Sequence, residues 1–362
     1  MKSTKWFAAL LSPIFCLLAM VEAAETERVT VLQVPGGGEP IAARTDSGGT
    51  IHLVFKGADG PQYARSSDGG KTFSEALPIV DQASRKPDLE FSVWDMAVSP
   101  EGYVHVAMGT NAWKLKLPHE EWGYFYARLE PGASEFLPVR NINLKPSEGF
   151  SLAADEKGRV AACWLSDKLY ANISHDNGKT FGPTVEVDAT YDPCNCCTTS
   201  AAYGADGRLA ILYREETNND RDMYLVLWDP DHHLAKRTRV STTLWKIDGC
   251  PMSYYSVTRG RDGYVAVWPT KEQIYFARLD INGVLQSPKE IKTPGKTGMR
   301  TGMLALSATD GVTLVAWKKA DQMGWQLYDR QGKPVGSPGN AESRGPGIAG
   351  VVINEQKLVL FR

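Results

Sequence analysis

The sequence lacks a basic block and shows no excess of charge of one sign. Its 40 lysines and arginines face 42 aspartates and glutamates over 362 residues, which gives a formal net charge of −2. Proteins that bind nucleic acid or anionic membrane surfaces usually carry clustered positive charge. The composition therefore argues against both kinds of partner.

Histidine is scarce, and no stretch after the N-terminal segment is long and apolar enough to form a membrane-spanning helix. The six histidines provide few nitrogen ligands for a metal centre. The 34 glycines and 21 prolines imply many tight turns and few long helices. A helical bundle is therefore not expected.

Residues 1–24 have the pattern of a secretory signal peptide. Lys2 and Lys5 give a charged start, an apolar stretch runs to Met20, and the segment ends in the small residues Ala23 and Ala24. The apolar stretch is too short to cross a bilayer. We therefore expect an exported protein, periplasmic or extracellular, whose residues 25–362 form a single domain without a membrane span.

A repeat of short strands runs through the rest of the sequence. Glycines separated by 48 to 56 residues open six of its second strands: Gly49, Gly102, Gly158, Gly207, Gly263 and Gly311. This spacing is typical of four-stranded propeller blades. The sequence predicts an all-β propeller with seven blades, or with six as the alternative. We expect the strand Val29–Val34 to lie outside the last blade and to close the ring.

Two repeats share the turn Ser-x-Asp-x-Gly-x-Thr-Phe without a gap. Its residues are Ser66, Asp68, Gly70, Thr72 and Phe73 in the first unit, and Ser174, Asp176, Gly178, Thr180 and Phe181 in the third. An aspartate carboxylate can accept main-chain N–H bonds in a tight hairpin, and glycine allows a positive φ. The turn resembles the Asp-box, or bacterial neuraminidase repeat, of the sialidase-like superfamily. The resemblance implies a propeller in which the box is structural and lies away from the active centre.

The resemblance also implies the residues that a sialidase uses for catalysis, and the chain can be compared with them. A sialidase holds the sugar carboxylate with three arginines and uses a Tyr–Glu pair and an Asp for glycoside hydrolysis. Arg221 stands where the second arginine would be. The first unit lacks the Arg-Ile-Pro element, and the connecting loop of the fifth unit offers only Lys271 in place of the third arginine. The incomplete triad argues against true sialidase activity.

Two neighbouring blade starts distinguish this sequence. The start of the fourth unit carries Cys-x-Cys-Cys, and the start of the fifth unit carries Asp-Gly-Cys-Pro-Met. Together the two motifs resemble those of a group of secreted sialidase-like proteins. We predict that the face formed by the fourth and fifth blades recognises a glycan or a small anionic ligand. An enzyme of this kind, glycoside hydrolase-like, would use two arginines for the anion, an acid/base pair and an assisting tyrosine: Arg214 and Arg221, Glu215 and Asp248, and Tyr254 or Tyr255.

Further polar residues fall where a pocket on the same face would lie. They include Asp95 beside Trp94, Glu148 and Arg300. For each of the three charged residues we favour an ordinary hydrogen bond between blades. The loop residues of a propeller face are nevertheless where ligand sites are usually built.

The cysteines after residue 24 require an explanation of their own. Cys163 lies in an apolar run and is interpreted as a buried thiol. Cys194, Cys196, Cys197 and Cys250 are disulfide candidates in an oxidising compartment, and four cysteines allow three pairings. We expect at least one disulfide to cross between blades.

An alternative interpretation makes the propeller a non-catalytic scaffold whose cysteines bind copper or zinc. The same four thiolates, with the thioether of Met252, would select Cu(I), and the thiolates alone would suit Zn(II). Against this, Cys-x-Cys-Cys is not the usual Cys-x-x-Cys spacing of zinc sites. The glycan interpretation requires no cofactor.

Overall fold

Seven small β-sheets are arranged as blades around a central axis. The computed structural model describes residues 28–229, 231 and 233–362, so the proposed signal segment 1–24 lies outside the described residues. Six sheets have four strands in sequence order, and the seventh has three. The all-β propeller with seven blades is therefore confirmed. In the described part of the chain, no helix is both long and apolar enough to cross a membrane.

The strands follow the chain blade by blade. Strand β1 (Val29–Leu32) precedes blade 1, which consists of β2 (Glu39–Thr45), β3 (Ile51–Gly57), β4 (Gly60–Ser66) and β5 (Leu77–Pro78). Blade 2 has β6 (Phe91–Val98), β7 (Val104–Thr110), β8 (Phe125–Leu129) and β9 (Arg140–Asn141). Blade 3 has β10 (Glu148–Ala154), β11 (Val160–Leu165), β12 (Leu169–Ser174) and β13 (Val185–Asp188).

The remaining blades repeat this order. Blade 4 has β14 (Ser200–Tyr203), β15 (Leu209–Arg214), β16 (Met223–Asp229) and β17 (His233–Arg239). Blade 5 has β18 (Ser256–Arg259), β19 (Gly263–Thr270), β20 (Gln273–Asp280) and β21 (Ile291–Lys296). Blade 6 has β22 (Met303–Ser307), β23 (Thr313–Lys319), β24 (Gln322–Tyr328) and β25 (Pro334–Glu342), and blade 7 has β26 (Ala349–Ile353) and β27 (Lys357–Phe361). Short 3-10 helices lie at Pro35–Gly37, Gln82–Ser84 and His119–Glu121.

The second strand of each blade forms the core. Every residue of β11, β15 and β19 is buried. Neighbouring blades cover both faces of these strands, and so they are almost continuously apolar instead of alternating. This burial explains why the second strands were the clearest part of the repeat in the sequence.

The first strands line an axial channel of about 1680 Å³. Each contacts the first strand of the next blade, and β26 contacts β2 to complete the ring. We call the face on which these strands begin the upper face; it is marked by Glu39, Phe91, Glu148, Ser200, Ser256, Met303 and Ala349. The opposite face is the lower face. Loops between second and third strands also reach the upper face, because the strands are antiparallel.

Strand β1 completes blade 7 from the other end of the described chain. It pairs in parallel with β27, from Val29 opposite Leu358 to Leu32 opposite Phe361. The Arg28 guanidinium adds two bonds of 2.7 and 2.8 Å to the Asp310 carboxylate in blade 6. The expected closure by the N-terminal strand is confirmed, with β1 ending at Leu32 instead of Val34.

The two repeated turns have the local structure expected from their residues. The Asp68 carboxylate accepts the Thr72 N–H (3.0 Å) and hydroxyl (2.6 Å) and the Ser66 hydroxyl (2.8 Å). Asp176 does the same with Thr180 and Ser174. Both turns join third and fourth strands and therefore lie at the lower face, away from the predicted site.

Candidate functional site

The segments singled out in blades 4 and 5 meet at the upper face. The Cys194 N–H donates to the Arg214 carbonyl (2.8 Å), and the Arg221 N–H donates to the Trp245 carbonyl (2.9 Å). The loop 214–222 therefore lies between the two cysteine-bearing segments. Their adjacency follows from the antiparallel order of the strands and from the contact between β14 and β18.

Four cysteine sulfurs converge between these blades, and we call Cys194, Cys196, Cys197 and Cys250 the four-sulfur cluster. Cys196 and Cys250 form a disulfide with a Cα–Cα distance of 6.7 Å. The Cys194 sulfur lies 3.2 Å from that of Cys197 and 3.5 Å from that of Cys250. Cys194 and Cys197 are only 2% and 1% exposed. A disulfide that crosses between blades is confirmed for one pair.

The two remaining thiols differ in their electrostatic surroundings. The hydrogen bond with Cys194 lowers the pKa of Cys197, and the charges of Arg214 and Arg221 lower it further against the effect of burial. The same hydrogen bond and burial raise the pKa of Cys194. Cys197 is therefore the thiol of this pair that more readily becomes a thiolate.

The side chains of Arg214 and Arg221 are both buried. Arg214 is 0% exposed, and its terminal nitrogens donate to the carbonyls of Arg221 and Pro269, both at 2.6 Å. Its guanidinium lies over the Trp245 ring, 4.9 Å from the centroid. Arg221 is 8% exposed, and its nearest carboxylate is that of Glu216, at 3.6 Å. These contacts make Arg214 a link between the two blades and lend no support to its predicted role as an anion ligand.

Glu215 and Asp248 occupy different environments. Glu215 is 4% exposed and accepts a 2.7 Å hydrogen bond from the Thr217 hydroxyl. Burial raises the pKa of Glu215, which is the direction required of a general acid. Asp248 is exposed, and among the described residues its carboxylate forms no hydrogen bond with Glu215. Their role as an acid/base pair stays a prediction.

Tyr254 and Tyr255 point to opposite sides of the same segment. Tyr255 is buried beside the four-sulfur cluster, where its hydroxyl accepts the Arg214 N–H (3.1 Å) and donates to the Thr198 carbonyl. Tyr254 is half-buried in the wall of the axial channel, with its ring 6.4 Å from that of Trp94. Both tyrosines line the channel, but Tyr254 is the more exposed of the two and is therefore the better placed to contact a ligand.

A group of residues from four blades lies at the upper end of the channel, and we call Trp94, Glu148, Tyr254 and Arg300 the mouth cluster. Burial raises the pKa of Glu148, and the charge of Arg300 opposes that rise. The pKa of Tyr254 is raised by burial and lowered by Arg300 in the same way. Arg300 is exposed. The cluster combines two aromatic rings with an exposed cation, Arg300, and an exposed carboxyl group, Glu148.

Of the three charged residues interpreted as links between blades, Asp95 has that role. Its carboxylate accepts the Leu152 N–H (3.0 Å) from blade 3 and an Arg44 N–H (2.8 Å) from blade 1. Within the described residues, the side chains of Glu148 and Arg300 make no hydrogen bond. Sequence analysis named both residues but could not separate them from Asp95, because hydrogen bonds between blades depend on distances that the sequence does not specify.

Comparison with known proteins supports the fold alone. No family model and no curated protein matches the chain. Among solved structures, a chain of the mitotic checkpoint complex is similar with a TM-score of 0.53 and 10% identity, covering 90% of this chain and 86% of that one. The Dos1 propeller is similar with a TM-score of 0.50 and 13% identity, covering 86% and 74%.

A lectin is also among the similar structures. The Aleuria aurantia lectin in complex with Fucα1-6GlcNAc has a TM-score of 0.51 and 12% identity, covering 86% of this chain and 96% of that one. The structural similarity establishes the architecture, but identities this low do not establish a shared activity. The class of protein that the fold defines is a seven-bladed propeller with an inter-blade disulfide on its upper face.

Proposed function

We propose that the protein is a sialidase-like propeller that recognises an acidic glycan at the mouth cluster. The observation that carries the proposal is the combination of two aromatic rings and the exposed Arg300 at the end of a wide channel. Aromatic rings offer an apolar surface with a polar edge, and a guanidinium binds a carboxylate through two parallel hydrogen bonds. Residues 1–24 would direct this activity to the periplasm or the outside of the cell.

The burial of Arg214 is the reason for placing the glycan site at the mouth cluster and not at Arg214. An arginine whose terminal nitrogens already donate to main-chain carbonyls has little left to offer a ligand. Arg300 lies on the same face and makes no such bonds among the described residues. The proposed anion ligand is therefore Arg300, in place of the pair Arg214 and Arg221.

Recognition is favoured over hydrolysis. The sugar-binding arginines of a sialidase are incomplete here, and Glu215 is not joined to Asp248. The Asp-box resemblance supports a sialidase-like scaffold, and the similarity in fold to a lectin in complex with Fucα1-6GlcNAc supports ligand recognition. A propeller can thus serve as a binding module without glycosidase chemistry.

Binding of acidic and neutral oligosaccharides, measured by calorimetry, tests the proposal. Sialylated and uronate-containing oligosaccharides should bind more tightly than their neutral counterparts. Arg300→Ala should weaken the acidic ligands about tenfold, which corresponds to about 1.4 kcal/mol. The matched control is Arg261→Ala, because Arg261 is an exposed arginine of the lower face. Equal binding of acidic and neutral ligands, or an equal loss in both variants, would refute the proposal.

A further inference from the structure

The four-sulfur cluster is a second site, separate from the mouth cluster. Tyr255 packs in one apolar cluster with Cys194 and Cys197, whereas the Tyr254 ring lies beside that of Trp94, so the two sites involve different side chains of one segment. The ligand atoms of Cys194, Cys197 and Cys250 all lie within 4.8 Å of one another. Cys196 joins them through its disulfide to Cys250. Four sulfurs from two adjacent blades therefore occupy one small volume.

The sulfur separations match those around a single metal ion. A tetrahedral ion with metal–sulfur bonds of about 2.3 Å holds its sulfurs about 3.8 Å apart. The three sulfur–sulfur distances among Cys194, Cys197 and Cys250 are 3.2, 3.5 and 3.9 Å. These three sulfurs are thus spaced closely enough to be ligands of one ion, and reduction of the disulfide would free the Cys196 sulfur as a fourth.

The main chain around the sulfurs is arranged as in a ligand loop. The Cys197 N–H donates to the Cys194 carbonyl (2.9 Å), which folds Cys-x-Cys-Cys into a tight turn. The Met252 N–H donates to the Cys250 sulfur at 3.3 Å. Main-chain donors of this kind stabilise negative charge on a ligating sulfur and fix its direction.

Two buried positive charges beside the four-sulfur cluster are the third observation that supports a metal site. Arg214 and Arg221 are both buried, and the Nε atom of each is buried without a hydrogen-bond partner. The hydrogen bonds of Arg214 go to neutral carbonyls. A buried cation is costly unless an anion lies nearby. A metal ion with four thiolates carries net negative charge, which these two guanidinium groups would balance.

We propose that, after reduction of its disulfide, the four-sulfur cluster binds one thiophilic d10 metal ion, Zn(II) or Cu(I). A dithiol supplies two electrons and two protons to the Cys196–Cys250 bond and is itself oxidised to a disulfide. The thiols then give up protons to solvent as the metal–sulfur bonds form. This site goes beyond glycan recognition and does not depend on it.

Metal binding to the reduced protein under anaerobic conditions tests the proposal. Zn(II) is titrated against a chromophoric chelator, and Cu(I) is titrated against bicinchoninate. One equivalent of metal should bind per chain. Loss of a ligand in Cys194→Ser or Cys197→Ser should weaken binding by at least about 100-fold, because even loss of a residue that only supports a ligand can cost that much. Cys163→Ser is the matched control, since Cys163 is a buried thiol in blade 3.

Met252→Leu separates the two metals. Loss of the thioether should reduce the affinity for Cu(I) and leave that for Zn(II) unchanged if the ion bound is Cu(I). An equal affinity for Cu(I) with and without the thioether, together with tight Zn(II) binding, identifies a zinc site formed by the thiolates alone. Both results support a d10 metal site.

Three results would overturn the proposal. They are a reduced protein that binds no stoichiometric metal, an equal loss of binding in Cys163→Ser, and a reduced protein loaded with Co(II) that lacks thiolate-to-cobalt charge-transfer absorption. The last measurement uses the unsubstituted chain, so it remains decisive if the cysteine variants do not fold. Glycan binding is measured on oxidised, metal-free protein, and its failure is therefore distinguishable from failure of the metal site.

Discussion

At the scale of single residues, the Asp176 turn shows how a side chain replaces main-chain hydrogen bonds. Its carboxylate accepts the N–H (2.9 Å) and hydroxyl (2.7 Å) of Thr180 and the hydroxyl of Ser174 (2.7 Å). Partial burial alone would raise the pKa of Asp176, but these hydrogen bonds together lower it to about 2. The ionised form is therefore the one that stabilises the turn.

Asp176→Asn should destabilise the protein by about 1–2 kcal/mol at neutral pH, because it removes an ionised acceptor of several hydrogen bonds. Urea unfolding measures the difference. A group whose pKa is lower in the folded state stabilises the protein at pH values above its pKa in the unfolded state. This contribution is lost as the pH falls towards the pKa in the folded state. The difference between the two proteins should therefore shrink as the pH falls from about 4 towards 2. The exposed Glu135→Gln should show no such change, and a pH-independent difference would contradict this explanation.

At the scale of strands, β3 and β7 share a buried histidine at the same place in the repeat. His52 lies 2.7 Å from the Tyr63 hydroxyl, and His105 lies 2.7 Å from the Tyr126 hydroxyl. Burial lowers the pKa of His105 to about 3, and the nearby charge of Arg128 acts in the same direction. The folded blade thus holds this histidine neutral, whereas the unfolded chain takes up a proton on it near pH 6.5.

His105 should make the protein less stable in acid. Between about pH 6.5 and 3 the unfolded state binds one more proton than the folded state, so stability falls by up to about 1.4 kcal/mol per pH unit as the pH decreases. His105→Gln should remove that part of the slope in urea unfolding at a series of pH values. His119→Gln, at an exposed position, is the control. An unchanged slope in His105→Gln would contradict the assignment.

The strands could be predicted from sequence because they are local and repeat. Apolar runs identified the second strands, six of them opened by a glycine and a seventh at residues 357–361, and counting them gave seven blades. The mouth cluster could not be predicted in the same way. Its four residues come from blades 2, 3, 5 and 6, and the sequence does not specify distances across a channel. The burial of Arg214 and the opposite directions of Tyr254 and Tyr255 depend on how neighbouring blades pack, which no repeat pattern encodes.

At the scale of the whole molecule, the ring depends on one short strand. Val29 and Val31 pack against the apolar cluster shared by blades 6 and 7, and β1 covers the edge of β27. Without β1, the N–H and C=O groups along that edge of blade 7 would be open to pairing with another chain. The stability of the ring and its resistance to association therefore rest on the same contact.

Deletion of residues 28–34 should lower the melting temperature and produce concentration-dependent association. Thermal unfolding and light scattering coupled to size exclusion measure the two effects. A synthetic peptide of residues 28–34 should restore the monomer when added in excess, because it can occupy the vacated edge. A scrambled peptide of the same composition is the control. A truncated chain that stays monomeric and equally stable would show that blade 7 needs no outer strand.

The pairing of β1 with β27 also orders the events of folding. Strands within blades 1 to 6 are neighbours in sequence, so each of these blades can form from local encounters. Closure brings Val29 to Leu358, and the entropy cost of so long a loop makes such contacts slow to form. We therefore expect a nearly complete ring with a gap at blade 7 to precede the native state, and the time it persists would set the period in which the chain is most exposed to misassembly.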